Sequence, residues 1–135
     1  MAHERPFFDV SLLQMHVYAG FPPPGQDDAE PPLNVHDYVV AHPLATYFLR
    51  VSGESMRGAC IRPGDIVVVD RSLTASHRKI IVARVGPRLL LKRLYIKQRK
   101  LFLHADPSEE PVIELDQRGD MEIWGVVTFC IHRVR

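Results

Sequence analysis

The stretch Lys79-Ile80-Ile81-Val82-Ala83-Arg84-Val85-Gly86-Pro87-Arg88-Leu89-Leu90-Leu91-Lys92-Arg93-Leu94-Tyr95-Ile96 decides the fold class. Two runs of β-branched and long apolar residues flank Gly86-Pro87. That pair favours a tight turn, because glycine tolerates unusual backbone angles and proline lacks an amide donor. The flanking runs predict strands over residues 79–85 and 89–96. In the second strand, alternation puts Leu90, Lys92 and Leu94 on one face and Leu89, Leu91 and Arg93 on the other.

Working outward, the same pattern recurs at 47–51, 66–70, 100–104, 112–115 and 121–134, with turn signals at Asp106-Pro107 and Arg118-Gly119. Many short strands at close spacing predict a mostly β domain, a sandwich or partly open barrel. No strand–helix alternation argues for a parallel sheet. One short helix is expected over 33–41, with Asn34 as its cap. Toward the N-terminus, apolar residues at 8, 10, 12, 13, 15 and 17 follow a period near two and predict an extended segment. Residues 20–32 hold five prolines and two glycines, so they read as a linker with polyproline II character. The expected organisation is an N-terminal arm and linker over 1–32, followed by one folded domain over 33–135.

A chain of 135 residues, 46% apolar and 24% charged, can bury one core but not two. The net charge of +1 points to no class of partner. Its distribution is uneven: nine Lys or Arg and no acid lie within 78–100, whereas seven acids and only Arg118 as a base lie within 106–122. The basic stretch admits a nucleic-acid reading. Cross-strand pairing with the acidic stretch is the favoured alternative, since no aromatic stacking pattern accompanies the charges. Cys60 and Cys130 have no ligand-like spacing and are expected as two reduced core thiols. The N-terminus lacks the basic start and apolar run of a signal peptide. No apolar run approaches the roughly 20 residues a membrane helix requires. A cytoplasmic protein is expected, with no membrane segment, metal or cofactor.

The segment with chemical potential is Val51-Ser52-Gly53-Glu54-Ser55-Met56. A strand runs into a glycine bend, which can turn the following amides into one space and leave Ser55 beside them. By itself this is also how an ordinary loop serine looks. A serine nucleophile needs a base. Seven histidines (3, 16, 36, 42, 77, 104 and 132) are candidates, and Lys92 is another. A lysine acts as a base only when neutral, and apolar surroundings disfavour its charged form. Lys92 shares its face with two leucines, and Arg88, Arg93 and Lys97 add neighbouring positive charge. The plain alternative is a lysine that reaches solvent from an edge strand.

Ser52-Gly53-Glu54-Ser55-Met56, Arg62-Pro63-Gly64-Asp65 with the run to Asp70, and Lys92-Arg93-Leu94 resemble the Ser–Lys self-cleaving peptidases of the LexA/UmuD family. His42-Pro43-Leu44-Ala45-Thr46-Tyr47-Phe48 and Leu73-Thr74-Ala75-Ser76-His77 are similar to the UmuD branch in particular. The resemblance runs from about Tyr18 to the C-terminus, and Arg78-Lys79 departs from the family's Gly-Asp. It implies a LexA/signal-peptidase-like β domain with an extended N-terminal arm. It implies Ser55 as nucleophile, Lys92 as base, and the backbone amides of Glu54 and Ser55 as the oxyanion site. It also implies cleavage at Ala19-Gly20 within Val17-Tyr18-Ala19-Gly20-Phe21-Pro22. The 35 residues from Gly20 to Ser55 span up to roughly 115 Å when extended, so reach is no obstacle. Only 19 residues precede the expected cut, too few for a helix-turn-helix domain. The implied setting is SOS mutagenesis: a homodimer, cleavage stimulated by a RecA filament on single-stranded DNA, and a UmuC-like error-prone polymerase as partner. Direct DNA binding is not expected. A non-enzymatic polymerase-regulating module and a LexA-like transcriptional regulator are the rival readings.

Overall fold

The computed structural model describes residues 14–15, 17–25, 29–30 and 33–134. The chain divides into two compact units, with the boundary between Tyr38 and Val39. In the first, β1 (Gln14–Met15) pairs antiparallel with β2 (Ala29–Glu30), Gln14 opposite Glu30. The stretch expected as a plain linker therefore contributes a short strand. The rest of the expected extended segment, residues 1–13 and 16, lies outside the described residues.

Helix α1 covers only Val35–Val39, where 33–41 was expected. Its start agrees with the expectation, because Asn34 Oδ1 accepts the Asp37 amide at 3.1 Å. Its end comes early. Pro43 disfavours helical angles in the residue before it, and His42 sits at φ −128° before a short 3₁₀ turn, Pro43–Ala45.

The second unit holds β3 (Thr46–Arg50), β4 (Ile66–Asp70), β5 (Ile80–Val85), β6 (Arg88–Lys97), β7 (Lys100–His104), β8 (Ile113–Leu115) and β9 (Met121–Ile131). They form one antiparallel sheet in the order β3-β4-β9-β5-β6-β7-β8. The fold is mostly β, as the sequence pattern implies. β9 stops at Ile131, short of the expected 134, because Ile131 faces Ile66, the first residue of β4, and no ladder partner follows.

β9 carries two bulges. Against β4 the register moves from Val68↔Phe129 to Val69↔Val127, and against β5 from Val82↔Gly125 to Ala83↔Ile123. An extra residue on one strand bends it and increases the local twist. Apolar groups are buried on both faces. One cluster contains Val51, Met56, Ile61, Val67, Val69 and Val82. The other contains Ile81, Ala83, Leu94, Leu103, Leu115 and Val126.

Two expectations about surface groups resolve differently. Cys60 and Cys130 are both exposed, not core thiols. Cys60 lies in a left-handed turn conformation after a 3₁₀ turn, and Cys130 lies at the end of β9 with Sγ 3.5 Å from Asp65 Oδ2. Desolvation, then the Asp65 carboxylate, push the Cys130 thiol up to about 11. The basic and acidic stretches do pair. Arg84 meets Asp120 at 2.8 Å and Glu122 at 2.9 Å, and Lys100 lies 4.0 Å from Glu114.

Asp65 joins the start of β4 to the end of β9. It is buried, lies 2.7 Å from His132 Nδ1 and accepts the Arg62 amide at 2.9 Å. The His132 contact first, and the Arg62 amide second, hold its carboxyl below the ordinary aspartate value. A depressed native pKa gives stability that is present above the unfolded value of about 3.9 and is lost as pH falls through the folded value. Between about pH 5 and pH 3, the Tm of wild type should therefore fall more steeply than that of Asp65→Asn, read by calorimetry.

Candidate active site

The site starts where β3 ends. Val51 is buried and extends the β3–β4 hairpin: its amide donates to Asp65 O and its carbonyl accepts Gly64 N, both at 2.8 Å. The chain then bends at Gly53, whose φ of +87° is a region that residues with side chains rarely adopt. Met56 turns back inward, 2% exposed, into the first apolar cluster. Its carbonyl accepts the amides of Ala59 and Ile61. This anchor leaves Ser55 half-buried at the rim, just after the bend. Among the described residues, the amides of Glu54 and Ser55 donate to no other group.

Lys92 comes from the middle of β6, opposite Ile81 of β5. Only 8% of it is exposed, and Leu94, the next residue on its face, is fully buried. It is therefore not a lysine reaching out to solvent. Its Nζ donates to Ser55 Oγ at 3.4 Å and to Glu110 Oε2 at 2.7 Å. The fold thus brings together two side chains 37 positions apart in sequence.

The described histidines have other partners. His42 pairs with Asp70 at 2.6 Å, His132 with Asp65, and His36 lies 3.5 Å from Asp37. His77 Nδ1 accepts the Ile96 amide at 2.9 Å, and His104 stacks on Tyr95. His3 and His16 are outside the described residues.

The expectation that Lys92 is surrounded by positive charge is corrected. Arg93 projects the other way and binds Asp106 Oδ2 at 2.9 Å and the Arg78 carbonyl at 2.7 Å. The charged group at the Lys92 amine is the Glu110 carboxylate. No sequence signal marks Glu110, because it sits in the loop between β7 and β8, which reads only as a turn.

That loop is fastened to the serine segment. The Asp106 amide donates to Ser55 O at 2.8 Å, and the Gly58 amide donates to Asp106 O at 2.6 Å. Arg57 Nη2 meets Glu109 Oε2 at 2.6 Å. At the first half of β6, a cavity of about 300 Å³ is lined by Leu49, Val51, Ser52, Leu89, Leu90 and Leu91 among others. β6 pairs with β7 only from Arg93 onward, so among the described residues its first half has no partner on that edge. Ala19 and Gly20 belong to the N-terminal unit, where both are exposed and the flanking Val17 and Phe21 are almost fully so.

A hydroxyl, an amine within hydrogen-bonding range of it and two free amides are the parts list for acyl transfer. Comparison with known proteins points the same way. Residues 11–128 match the family described as Peptidase S24-like. The chain is 46% identical over 130 residues to Protein MucA of Salmonella typhimurium, which covers 96% of this chain and 85% of that protein. It is 39% identical over 124 residues to Protein ImpA of Salmonella typhimurium, covering 92% and 84%. It is 37% identical over 112 residues to LexA repressor 1 of Geobacter sulfurreducens, covering 82% and 55%. Among the described residues, no helix is long and apolar enough to cross a membrane.

The loop contact is tested at Gly58. A Cβ there would lie 2.5 Å from Asp106 Oδ1 and 2.8 Å from both Asp106 C and Pro107 N. Gly58→Ala should push the loop off the serine turn and lower stability by about 1–3 kcal/mol, as overpacking does. Hydrogen exchange should show faster exchange at the Gly58 and Asp106 amides.

Proposed function

Because the chain belongs to the Peptidase S24-like family of UmuD- and LexA-type self-cleaving proteins, we propose that it cuts its own backbone between Ala19 and Gly20, with Ser55 as nucleophile and Lys92 as general base. The observation that carries this reading is the 3.4 Å contact between Lys92 Nζ and Ser55 Oγ in a largely buried setting.

In this mechanism neutral Lys92 takes the Ser55 hydroxyl proton as Oγ attacks the Ala19 carbonyl carbon. The amides of Glu54 and Ser55 donate to the oxyanion that forms. Collapse breaks the Ala19–Gly20 bond, and Lys92 returns the proton to the departing Gly20 amine. Water, deprotonated by Lys92, then attacks the Ala19 ester and releases residues 1–19. Small Ala19 and Gly20 would allow close backbone approach when an extended substrate segment is added to a sheet edge. The arm and linker over 1–32 serve as substrate and tether, and residues 33–135 as the peptidase domain. Tethering supplies a high effective concentration, so a modest catalyst suffices for one cut.

As a UmuD-like protein it acts in SOS mutagenesis and translesion synthesis after DNA damage. Its working form is a cytoplasmic homodimer that meets a RecA filament on single-stranded DNA as the stimulus for cleavage and a UmuC-like error-prone polymerase as partner.

Free lysine titrates near 10.4, so a lysine base makes cleavage rise with pH. Purified protein held at about pH 9–10 should lose residues 1–19, with mass spectrometry placing the new N-terminus at Gly20. Ser55→Ala and Lys92→Ala should stay intact. A cut elsewhere, or cutting that persists in either variant, would overturn the assignment.

A further inference from the structure

The Lys92 amine has two partners, and the closer one is not the serine. Glu110 Oε2 lies at 2.7 Å, an ion-pair distance, whereas Ser55 Oγ at 3.4 Å is at the long limit of a hydrogen bond. An amine held as the ammonium partner of a carboxylate has no lone pair with which to take a hydroxyl proton. We infer that Glu110 is a latch on the Ser55–Lys92 pair: its carboxylate occupies the amine that Ser55 needs, so the chain cuts itself slowly until the loop carrying Glu110 is drawn away. This rests on the Ser–Lys reading above and adds to it a residue that restrains the reaction.

The surrounding charges support the inference. The loop between β7 and β8 carries Asp106, Glu109 and Glu110. Two of these are engaged elsewhere: Asp106 by Arg93, and Glu109 by Arg57 of the serine turn. Glu110 is the one that reaches Lys92. The serine turn adds Glu54, which is exposed, and β5 offers the apolar Ile81 opposite Lys92. Of the Glu110 side chain, 49% is exposed. Water, salt or a bound partner can therefore compete for it, while the backbone bonds from Asp106 to Ser55 and Gly58 keep the loop nearby. A half-exposed anion on a buried amine is an arrangement that opens without unfolding the sheet.

The experiment measures release of residues 1–19 against pH in wild type, Glu110→Gln and Glu110→Asp, with thermal melts to show that each is folded. Glu110→Gln keeps the shape and removes the charge. It should cut about tenfold faster than wild type at pH 7, because the amine is no longer occupied by an anion. Glu110→Asp, which keeps the charge on a shorter side chain, should fall between the two. Adding Ser55→Ala to Glu110→Gln should abolish the cut. If wild type cuts at high pH and the Glu110→Gln curve superposes on it or runs slower, Glu110 is no latch, and only this inference falls. If wild type stays intact at every pH, or Ser55→Ala cuts, the Ser–Lys reading fails and the latch falls with it.

Discussion

Lys92 puts a charged amine where only 8% of the residue reaches solvent, on a strand whose next inward neighbour is fully buried. A charge taken out of water is costly unless it is paired and hydrogen-bonded. That constraint shapes the surroundings. The amine has one carboxylate and one hydroxyl as partners, and both arrive on segments held to each other: Ser55 on the turn after β3, and Glu110 on the loop after β7. If the loop were not fastened to the turn, the amine would lose its anion or the serine its neighbour. The two backbone bonds between Asp106 and the serine segment, and the missing side chain at Gly58, are what allow that close approach.

The sheet supplies the rest of the geometry by placing rigid elements on either side. Lys92 is fixed because β6 is paired with β5 along its first half and closes on β7 only from Arg93. Ser55 is fixed from the opposite direction, by Met56 filling the first apolar cluster and by Val51 continuing the hairpin to Gly64 and Asp65. The bulges in β9 bend the strand that lies between β4 and β5, and so help set how the two halves of the sheet stand toward each other. Among the described residues, the first half of β6 lacks a partner on its β7 side, and its Leu89–Leu91 line a cavity with Leu49, Val67 and Val82.

What was legible in the sequence was whatever depends on local pattern. β4 and β7 match their expected bounds, because each is a short apolar run between turn residues. Lys92 could be singled out because period two puts it with leucines, and Gly53 because a serine follows a strand-ending glycine. Contacts made across the fold were not legible. Glu110 lies among six polar, acidic or proline residues that signal only a turn, and nothing in that stretch says which strand the turn will lie against. The cysteines illustrate the opposite failure. Their usual preference for the interior was a fair prior, but Cys60 falls in a turn and Cys130 at the end of a long strand, where topology exposes whatever residue is present. Helix length failed for a backbone reason, since Pro43 acts on the residues before it.

A tethered reaction that happens once per chain also explains why such a site tolerates a closer competitor for its base. An enzyme that turns over many substrates loses rate in every cycle to an ion pair on its general base. A chain that carries its own substrate starts with an effective concentration far above any free peptide, worth several orders of magnitude in rate. It can therefore hold its base in an unproductive pairing and still cut on a useful timescale once the pairing opens. Here the same exposed loop that closes the ion pair is tied to the serine turn, so under the proposed mechanism a partner that grips the loop would act on Lys92 and Ser55 together. Restraint and readiness then come from one structural element rather than from two sites coupled at a distance.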